Sequence, residues 1–321
     1  MNALALLLSS VMLLAQTPAP GQLQTVVLTV TNKAGQYMLN LNQDLFIVEE
    51  DGVRQQITKF TPDSDVPVSL GILIDKSASM RLPVAVVGQE RLPAALLAAD
   101  GAARVVVTLT KPQDEYLVMT FDEGFQVKQS FTSDKKKVTE LLNKNTLVGG
   151  ATHLYKAVGE ALKEIRKKAK NRRRALIVIT DVHDTSGHKI EDLQATIREQ
   201  EIPVYTFGMR WDAWGVPGED AEPGKSTYEE EVLKLMAIDS GGYSMVVDIP
   251  NLLSDYTVTR MIEFVRSIEA ELRGQYTLSY YSTTPGSSEG KALRVRSMIP
   301  ELQVKFRRET TVKTAASPAR R

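Results

Sequence analysis

Short apolar runs alternate with amphipathic stretches through the middle of the chain. The run at 68–74 has the length and composition of a strand that is buried on both faces of a parallel sheet. The runs at 115–122, 175–180 and 202–209 are also predicted to be strands. Another strand is predicted at 243–247. Helical periodicity occupies the intervening stretches, namely 94–108, 131–143, 154–169, 190–200, 228–238 and 251–272. Strands that alternate with helices predict an α/β domain, Rossmann-like and doubly wound, whose parallel sheet is covered on both faces.

The segments on either side of this α/β region are β-rich. Strand-like runs lie at 26–31, 37–41, 44–48 and 53–60 before it, and at 275–281, 293–298 and 302–306 after it. Asn32-Lys-Ala-Gly35 and Glu50-Asp51-Gly52 are turn signals between the first runs. Neither flank alone has enough strands to bury two faces. We therefore expect 22–64 and 273–309 to pair into one small β-sandwich, into which an α/β domain at 67–268 is inserted.

The two ends of the chain differ in composition from the rest. An apolar run at 3–15 is too short to span a bilayer and precedes a small, turn-prone stretch, which predicts a secretory signal peptide over 1–19. No Lys or Arg precedes the run, so its n-region is uncharged and atypical. We expect a secreted or periplasmic protein without a transmembrane segment in the mature chain; a cytoplasmic protein is the alternative. Residues 310–321 are predicted to form a disordered tail.

The balanced charge of the chain argues against nucleic acid as a partner. The 321-residue chain carries 39 basic and 39 acidic residues and has a pI near 6.9, which gives no reason to expect nucleic-acid binding. The basic run at 163–174 is typical of the solvated end of a helix before a buried strand. A phosphate-binding P-loop is excluded at Gly224-Lys225-Ser226, because Glu219 stands where the first glycine is required.

Side chains with hard oxygen donors follow three separate segments. Asp75, Ser77 and Ser79 come directly after the apolar run at 68–74. Thr152 follows a glycine turn, and Asp181 comes directly after the apolar run at 175–180. Ligands of open α/β sheets collect where the strands end. These donors therefore predict a cation site at that edge of the sheet.

The order of these segments resembles a known site. Asp-x-Ser-x-Ser, a distant Thr and a distant Asp are similar to the metal-ion-dependent adhesion site (MIDAS) of von Willebrand factor type A domains, and three segments in order are more specific than one short motif. The flanking runs Phe46-Ile-Val48-Glu-Glu50-Asp51-Gly52 and Arg273-Gly-Gln-Tyr276-Thr-Leu278-Ser-Tyr280-Tyr281 resemble bacterial proteins of the VWFA-related type. The resemblance extends from about residue 24 to about residue 310.

The resemblance implies a metal site and a way of binding partners. Asp75, Ser77, Ser79, Thr152 and Asp181 would hold the cation directly or through water. Because the ligands are mostly hydroxyls or water with few charges, Mg²⁺ is favoured, with Mn²⁺ and Ca²⁺ as alternatives. In this family an Asp or Glu of a partner protein completes the metal shell. The implied function is an exported adhesion or interaction module that is not an enzyme.

Two features near the site add alternatives. Val182 stands where a glycine often follows the third-segment Asp, so Asp184 is an alternative to Asp181 as the ligand. The loop after the run at 202–209 should emerge beside the metal loops, and Arg210, Trp211 and Trp214 in it are candidate partner contacts. The alternative is that the tryptophans cover the sheet edge or pack on the β-domain.

Two other functions stay open. One is a structural or assembly module whose metal site is vestigial, its polar residues serving only to close strands and cap helices. The other, less favoured, is a metal-dependent hydrolase. His153, His183 and His188 lie close in sequence to the predicted ligands, and zinc bound by histidines can activate water.

Overall fold

The computed structural model describes residues 21–81, 84–87, 90–144, 149–181, 184–210, 228–248, 255–284 and 290–308. The predicted signal peptide and C-terminal tail lie outside these ranges. The strands are β1 (Leu23–Thr31), β2 (Phe46–Glu50), β3 (Val53–Gln55), β4 (Ile57–Pro62), β5 (Val68–Asp75), β6 (Val84–Val87), β7 (Glu90–Pro93), β8 (Glu115–Phe121), β9 (Phe125–Thr132), β10 (Arg173–Thr180), β11 (Val204–Arg210), β12 (Ser244–Asp248), β13 (Gln275–Tyr281), β14 (Leu293–Ser297) and β15 (Gln303–Arg308). The helices are α1 (Ala94–Leu109), α2 (Lys135–Leu142), α3 (Leu154–Lys168), α4 (Ile190–Gln200), α5 (Tyr228–Ser240) and α6 (Asp255–Arg273), with short 3₁₀ turns at Gln43–Leu45 and Ala78–Arg81. Within the described ranges, no helix combines the length and the apolar character needed to cross a bilayer.

The α/β unit, Asp65–Arg273, is built on a six-stranded sheet of order β12-β11-β10-β5-β8-β9. Neighbouring strands are parallel, except that β9 pairs antiparallel with β8. Every residue of β5 is buried, as expected of a central strand. Leu70 and Ile72 of β5 enter an apolar core shared with α1, α2 and α6, and Leu73 enters a second core shared with α3, α4 and α5. Helices thus cover both faces of the sheet, and the predicted fold class is confirmed.

The other unit combines Met1–Ser64 with Gly274–Arg321. Its described part forms two antiparallel sheets, of order β15-β1-β13-β4 and β14-β2-β3. Strand β1 lies between β13 and β15, so the N-terminal flank pairs directly with the C-terminal flank. Leu28 and Tyr276 of the first sheet share one core with Phe46 and Val48 of the second. The rings of Phe46, Phe60 and Tyr276 pack together, with centroids between 5.1 and 6.3 Å apart.

The predicted strand at 37–41 is wrong. Only Tyr37 forms a bridge, to Thr31, and the chain then turns, with Asn40 in the left-handed region at φ 60°. The hydroxyl of Tyr276 supplies hydrogen bonds to backbone groups that a neighbouring strand would otherwise satisfy. It donates to the Met38 carbonyl at 2.7 Å and accepts from the Leu41 N–H at 3.1 Å.

Other elements differ from the predicted pattern in number. The run at 53–60 is divided into β3 and β4, which belong to different sheets. Strand β9 and the two-stranded sheet of β6 and β7 have no counterpart among the predicted strands. The β6–β7 hairpin lies between the 3₁₀ turn at Ala78–Arg81 and α1, and it therefore follows the Asp-x-Ser-x-Ser segment in the chain.

Glu50, the last residue of β2, is fully buried in the β unit. Its carboxylate accepts hydrogen bonds from the hydroxyls of Ser282, Thr284 (2.6 Å) and Tyr280 (3.1 Å), and lies 3.8 Å from the Lys291 ammonium. Burial raises the pKa of Glu50, but the three hydrogen bonds and the Lys291 charge together hold that pKa below its usual value of 4.5. The carboxylate therefore stays ionised in the core because its oxygens are hydrogen-bonded.

Glu50→Gln is expected to weaken the β unit in a pH-dependent way. At about pH 7 the free energy of unfolding should fall by about 1–3 kcal/mol, because the hydroxyls lose a charged acceptor. A lowered folded-state pKa gives stabilisation that is present above the unfolded-state pKa and is lost as pH falls through the folded-state value. In urea unfolding curves, the difference between wild type and variant should therefore shrink between about pH 7 and about pH 3.

A neighbouring carboxylate provides the control for this prediction. Glu49, beside Glu50 on β2, is partly exposed and lies 3.4 Å from the exposed Arg296 of the neighbouring strand β14. Glu49→Gln should cost less than about 1 kcal/mol at any pH. An effect of Glu50→Gln that does not change with pH would contradict the role assigned to the ionised carboxylate.

Candidate metal centre

Backbone hydrogen bonds hold the predicted ligand loops together at the carboxyl edge of the α/β sheet. The loop after β5 is bound to the end of β8, since Lys76 N–H donates to the Phe121 carbonyl at 2.8 Å. It is also bound to the glycine turn, since Ala78 N–H donates to the Gly150 carbonyl at 3.2 Å. The start of α3 is fixed in turn by His153 N–H, which donates to the Asp122 carbonyl at 2.9 Å. The segments with Ser77, Ser79 and Thr152 therefore lie side by side.

Asp75 is the buried centre of this arrangement. Its side chain is fully buried, with Oδ1 accepting from Ser77 N–H at 2.8 Å and Oδ2 accepting from the Thr180 hydroxyl at 2.6 Å. Ser77 is also buried, and its hydroxyl lies 3.0 Å from that of the half-buried Ser79. Thr180 links this loop to the end of β10, where Asp181 follows.

The electrostatics of the site favour a bound cation. Burial, and then repulsion from the nearby Asp181 carboxylate, raise the pKa of Asp75 to about 7. A buried carboxylate that is repelled by a second carboxylate is stabilised when a proton or a cation lies between the two. Hydroxyl and carboxylate oxygens are the donors that Mg²⁺, Mn²⁺ and Ca²⁺ accept. The residues present at this edge therefore fit a hard divalent cation.

Thr152 is held by a residue that the sequence pattern does not reveal. Thr152 N–H donates to the Thr185 hydroxyl at 2.9 Å, and Thr185 N–H donates to the Thr152 carbonyl at 2.8 Å. Thr152 is buried, with 4% of its surface exposed. Thr185 thus fixes Thr152 against the loop that follows Asp181.

Thr180, whose hydroxyl donates to Asp75, was also not identified from the sequence. Its position directly before Asp181 at the end of a strand is a signal that could have identified it.

Asp184 has a different role from Asp181 in this structure. Its Oδ1 accepts from Tyr155 N–H, in the first turn of α3, at 3.2 Å. Its Oδ2 accepts from both the N–H and the hydroxyl of Ser186, at 3.1 and 2.7 Å. Asp184 therefore satisfies a backbone donor at the N-terminus of a helix. Asp181, whose charge acts on Asp75, is the better ligand candidate of the two; Val182 lies outside the described residues.

A family comparison decides what this segment is. Residues 70–184 match the family model described as von Willebrand factor type A domain, and this range begins in β5 and ends just after the third ligand segment. This part of the chain is a von Willebrand factor type A domain. Among curated proteins, none matches the sequence.

Several solved structures are similar to the protein at low identity. BatB from Bacteroides thetaiotaomicron is 21% identical, covers 62% of this chain and 99% of its own, and has a TM-score of 0.44. The vWF domain of the type V pili tip protein Mfa5 from Porphyromonas gingivalis is 11% identical, with coverages of 64% and 96% and a TM-score of 0.46. A von Willebrand factor type A protein from Catenulispora acidiphila is 13% identical, with coverages of 91% and 74% and a TM-score of 0.48. Likenesses at this level leave function open.

The remaining candidate residues of the von Willebrand type A domain are only partly described. Arg210, at the end of β11, forms an ion pair with Glu230 of α5, while Trp211 and Trp214 lie outside the described residues. His153 precedes α3 without capping it through its side chain, and His188 is exposed; His183 also lies outside. Across the described ranges, no group of three His, Asp or Glu side chains could hold a metal ion.

Proposed function

We propose that the von Willebrand type A domain is an exported interaction module that binds a divalent cation, Mg²⁺ first, and recognises a partner protein through an Asp or Glu carboxylate. Asp75, Ser77, Ser79, Thr152 and Asp181 are the proposed ligands, directly or through water. When bound, the cation supplies an open coordination position for a carboxylate from outside. The proposal describes a binding function and no chemical reaction. Export is proposed from the apolar run at 3–15.

One observation carries this proposal. Asp75 is completely buried at the end of a parallel strand, and both its burial and the Asp181 charge disfavour its ionised form. A buried carboxylate with a second carboxylate beside it is costly unless something positive compensates the charge. The neighbouring donors are hydroxyls, which add oxygen ligands without adding more negative charge.

The other residues of the site position the ligands. Thr180 and Ser77 N–H fix the two oxygens of Asp75, which limits the orientations of its carboxylate. Thr185 holds Thr152 in the same way from the opposite loop. Ligands fixed before binding lose less conformational freedom when the cation arrives, which favours affinity.

Thermal unfolding with and without metal tests the proposal. After treatment with EDTA, Mg²⁺ or Mn²⁺ at a hundred times its dissociation constant should stabilise the protein by about 2.7 kcal/mol. For a domain of this size that corresponds to a rise in melting temperature of about 5–11 °C. Asp75→Asn, which keeps the size of the side chain but removes its charge, should abolish the rise.

Asp184→Asn is the matched control, because this carboxylate caps α3. Asp184→Asn should lower the melting temperature by the same amount in EDTA and in Mg²⁺. The rise in melting temperature on adding Mg²⁺ should therefore be as large as in the wild type. If the melting temperature of the wild type does not change with any metal, the structural module with a vestigial site is favoured. A response to Zn²⁺ alone would favour the hydrolase.

A further inference from the structure

Arg81 belongs to the ligand loop after β5, and its side chain contacts the glycine turn that leads to Thr152. It ends the 3₁₀ turn Ala78–Arg81, which also carries Ser79, and its side chain is exposed. Its guanidinium lies against the glycine turn that leads to Thr152. A Cβ atom added to Gly149 would meet Arg81 Nη2 at 2.5 Å and Cζ at 3.1 Å. The missing side chain at Gly149 is therefore what gives the guanidinium its place.

The 3₁₀ turn Ala78–Arg81 and the glycine turn at 149–150 together are called the rim of the candidate metal site. The charge of Arg81 is held at this rim. The turn that Arg81 covers is the same turn whose Gly150 carbonyl accepts from Ala78 N–H at 3.2 Å. Under the proposed function, a partner carboxylate reaches the cation at this same edge of the sheet, close to the Arg81 charge. A guanidinium offers a planar fork of N–H donors that matches a carboxylate with two parallel hydrogen bonds.

A negative charge lies next to the following glycine of the same turn. A Cβ atom added to Gly150 would lie 3.3 Å from Oε2 of Glu123, which is exposed. The rim thus carries a cation next to Gly149 and an anion next to Gly150. A partner group placed toward Arg81 is favoured when it is acidic, whereas one placed toward Glu123 is disfavoured when it is acidic.

We propose that Arg81 is a partner-recognition residue, whose guanidinium receives a second carboxylate from the same partner segment that supplies a carboxylate to the cation. This inference rests on the proposed function and makes it narrower. The partner chemistry is an acidic segment with two carboxylates, not a single isolated Asp or Glu. Arg81 contributes to affinity for that segment and is not itself a metal ligand.

Two measurements on the full chain loaded with Mn²⁺ test the inference. Electron paramagnetic resonance of free Mn²⁺ gives the metal affinity. Relaxation of peptide protons by bound Mn²⁺ gives the affinity for capped peptides with one Asp, or with two Asp separated by zero to three glycines. We expect the best two-Asp peptide to bind the wild type at least about tenfold more tightly than the one-Asp peptide, the effect of about one charged hydrogen bond.

Three variants separate recognition from structure. Arg81→Gln should remove the preference for two carboxylates and leave the Mn²⁺ affinity unchanged. Gly149→Ala keeps every charge but displaces the guanidinium, and it should weaken the preference in the same direction. Lys136→Gln removes an exposed cation on α2, with 87% of its side chain exposed, and should change neither quantity.

Each failure has a distinct meaning. If Arg81→Gln retains the preference, or if the wild type shows none, the inference is overturned while Mn²⁺ binding still supports the metal site. If Arg81→Gln loses Mn²⁺, Arg81 holds the loop and is not a recognition residue. If the wild type binds no Mn²⁺, the proposed function fails, and the inference fails with it.

Discussion

Replacing Lys76 with Met is expected to lower the free energy of unfolding by about 3–5 kcal/mol, because it leaves a buried carboxylate without its counter-ion. Lys76 Nζ lies 2.8 Å from Asp100 Oδ1 of α1, and the two side chains are only 5% and 2% exposed. Burial lowers the pKa of Lys76 and raises the pKa of Asp100, and the attraction between the two charges opposes both shifts. Asp100 Oδ2 has no hydrogen-bond partner among the described residues.

The double variant Lys76→Met with Asp100→Leu gives the comparison that isolates the ion pair. Replacing both partners with apolar groups removes the buried charge entirely, so most of the lost stability should return. Urea unfolding of the wild type, the two single variants and the double variant forms a double-mutant cycle. A single variant that costs less than about 1 kcal/mol, with no recovery in the double variant, would show that the pair is not held as the structure has it.

A loss of similar size is expected for Asp114→Ala at the opposite edge of the α/β unit. Asp114 is fully buried and accepts from Val68 N–H at 2.9 Å, from Lys111 N–H at 2.8 Å and from the Arg273 guanidinium. Removing it leaves two backbone donors without their acceptor, and it takes one of two carboxylates from a guanidinium that is 7% exposed and, among the described residues, keeps only Glu269 as an anionic partner. We expect a cost of about 3–5 kcal/mol in urea unfolding and faster hydrogen exchange at the Val68 amide.

Asp65→Asn is the matched control at the same edge. Asp65 lies 2.6 Å from Lys111, but its side chain is 87% exposed, so solvent screens this ion pair and Asp65→Asn should leave the urea unfolding curve almost unchanged. Equal losses for Asp65→Asn and Asp114→Ala would mean that burial does not distinguish the two carboxylates.

Local patterns were sufficient to predict the fold class and the place of the candidate site. The apolar run that becomes β5 and the Asp-x-Ser-x-Ser segment are contiguous, so the strand and the loop at its end can both be read from one stretch. The same holds for β10 and Asp181. That these residues bind a cation stays a prediction.

Contacts between distant residues explain what the pattern could not show. Thr185 binds Thr152 from 33 positions away, and the hydroxyls around Glu50 come from more than 200 positions away. The polar strand β9 gains its partner only by pairing with the edge of β8, with two irregularities in register. The Lys76–Asp100 pair did leave a signal, since Asp100 is an acidic residue in the largely apolar stretch that forms α1.

The connection between β4 and β13 has a consequence for the order of folding. These strands are antiparallel neighbours in one sheet, so the entire α/β unit is topologically the loop of a β-hairpin. Closing a flexible loop becomes costlier by about 0.6 kcal/mol with each doubling of its length. Once the α/β unit has folded, Arg273 at its end donates to the Val66 carbonyl near its beginning at 2.8 Å. If the α/β unit folds first, its two ends are held close together, and the strands of the flanks then pair without the cost of closing a long flexible loop.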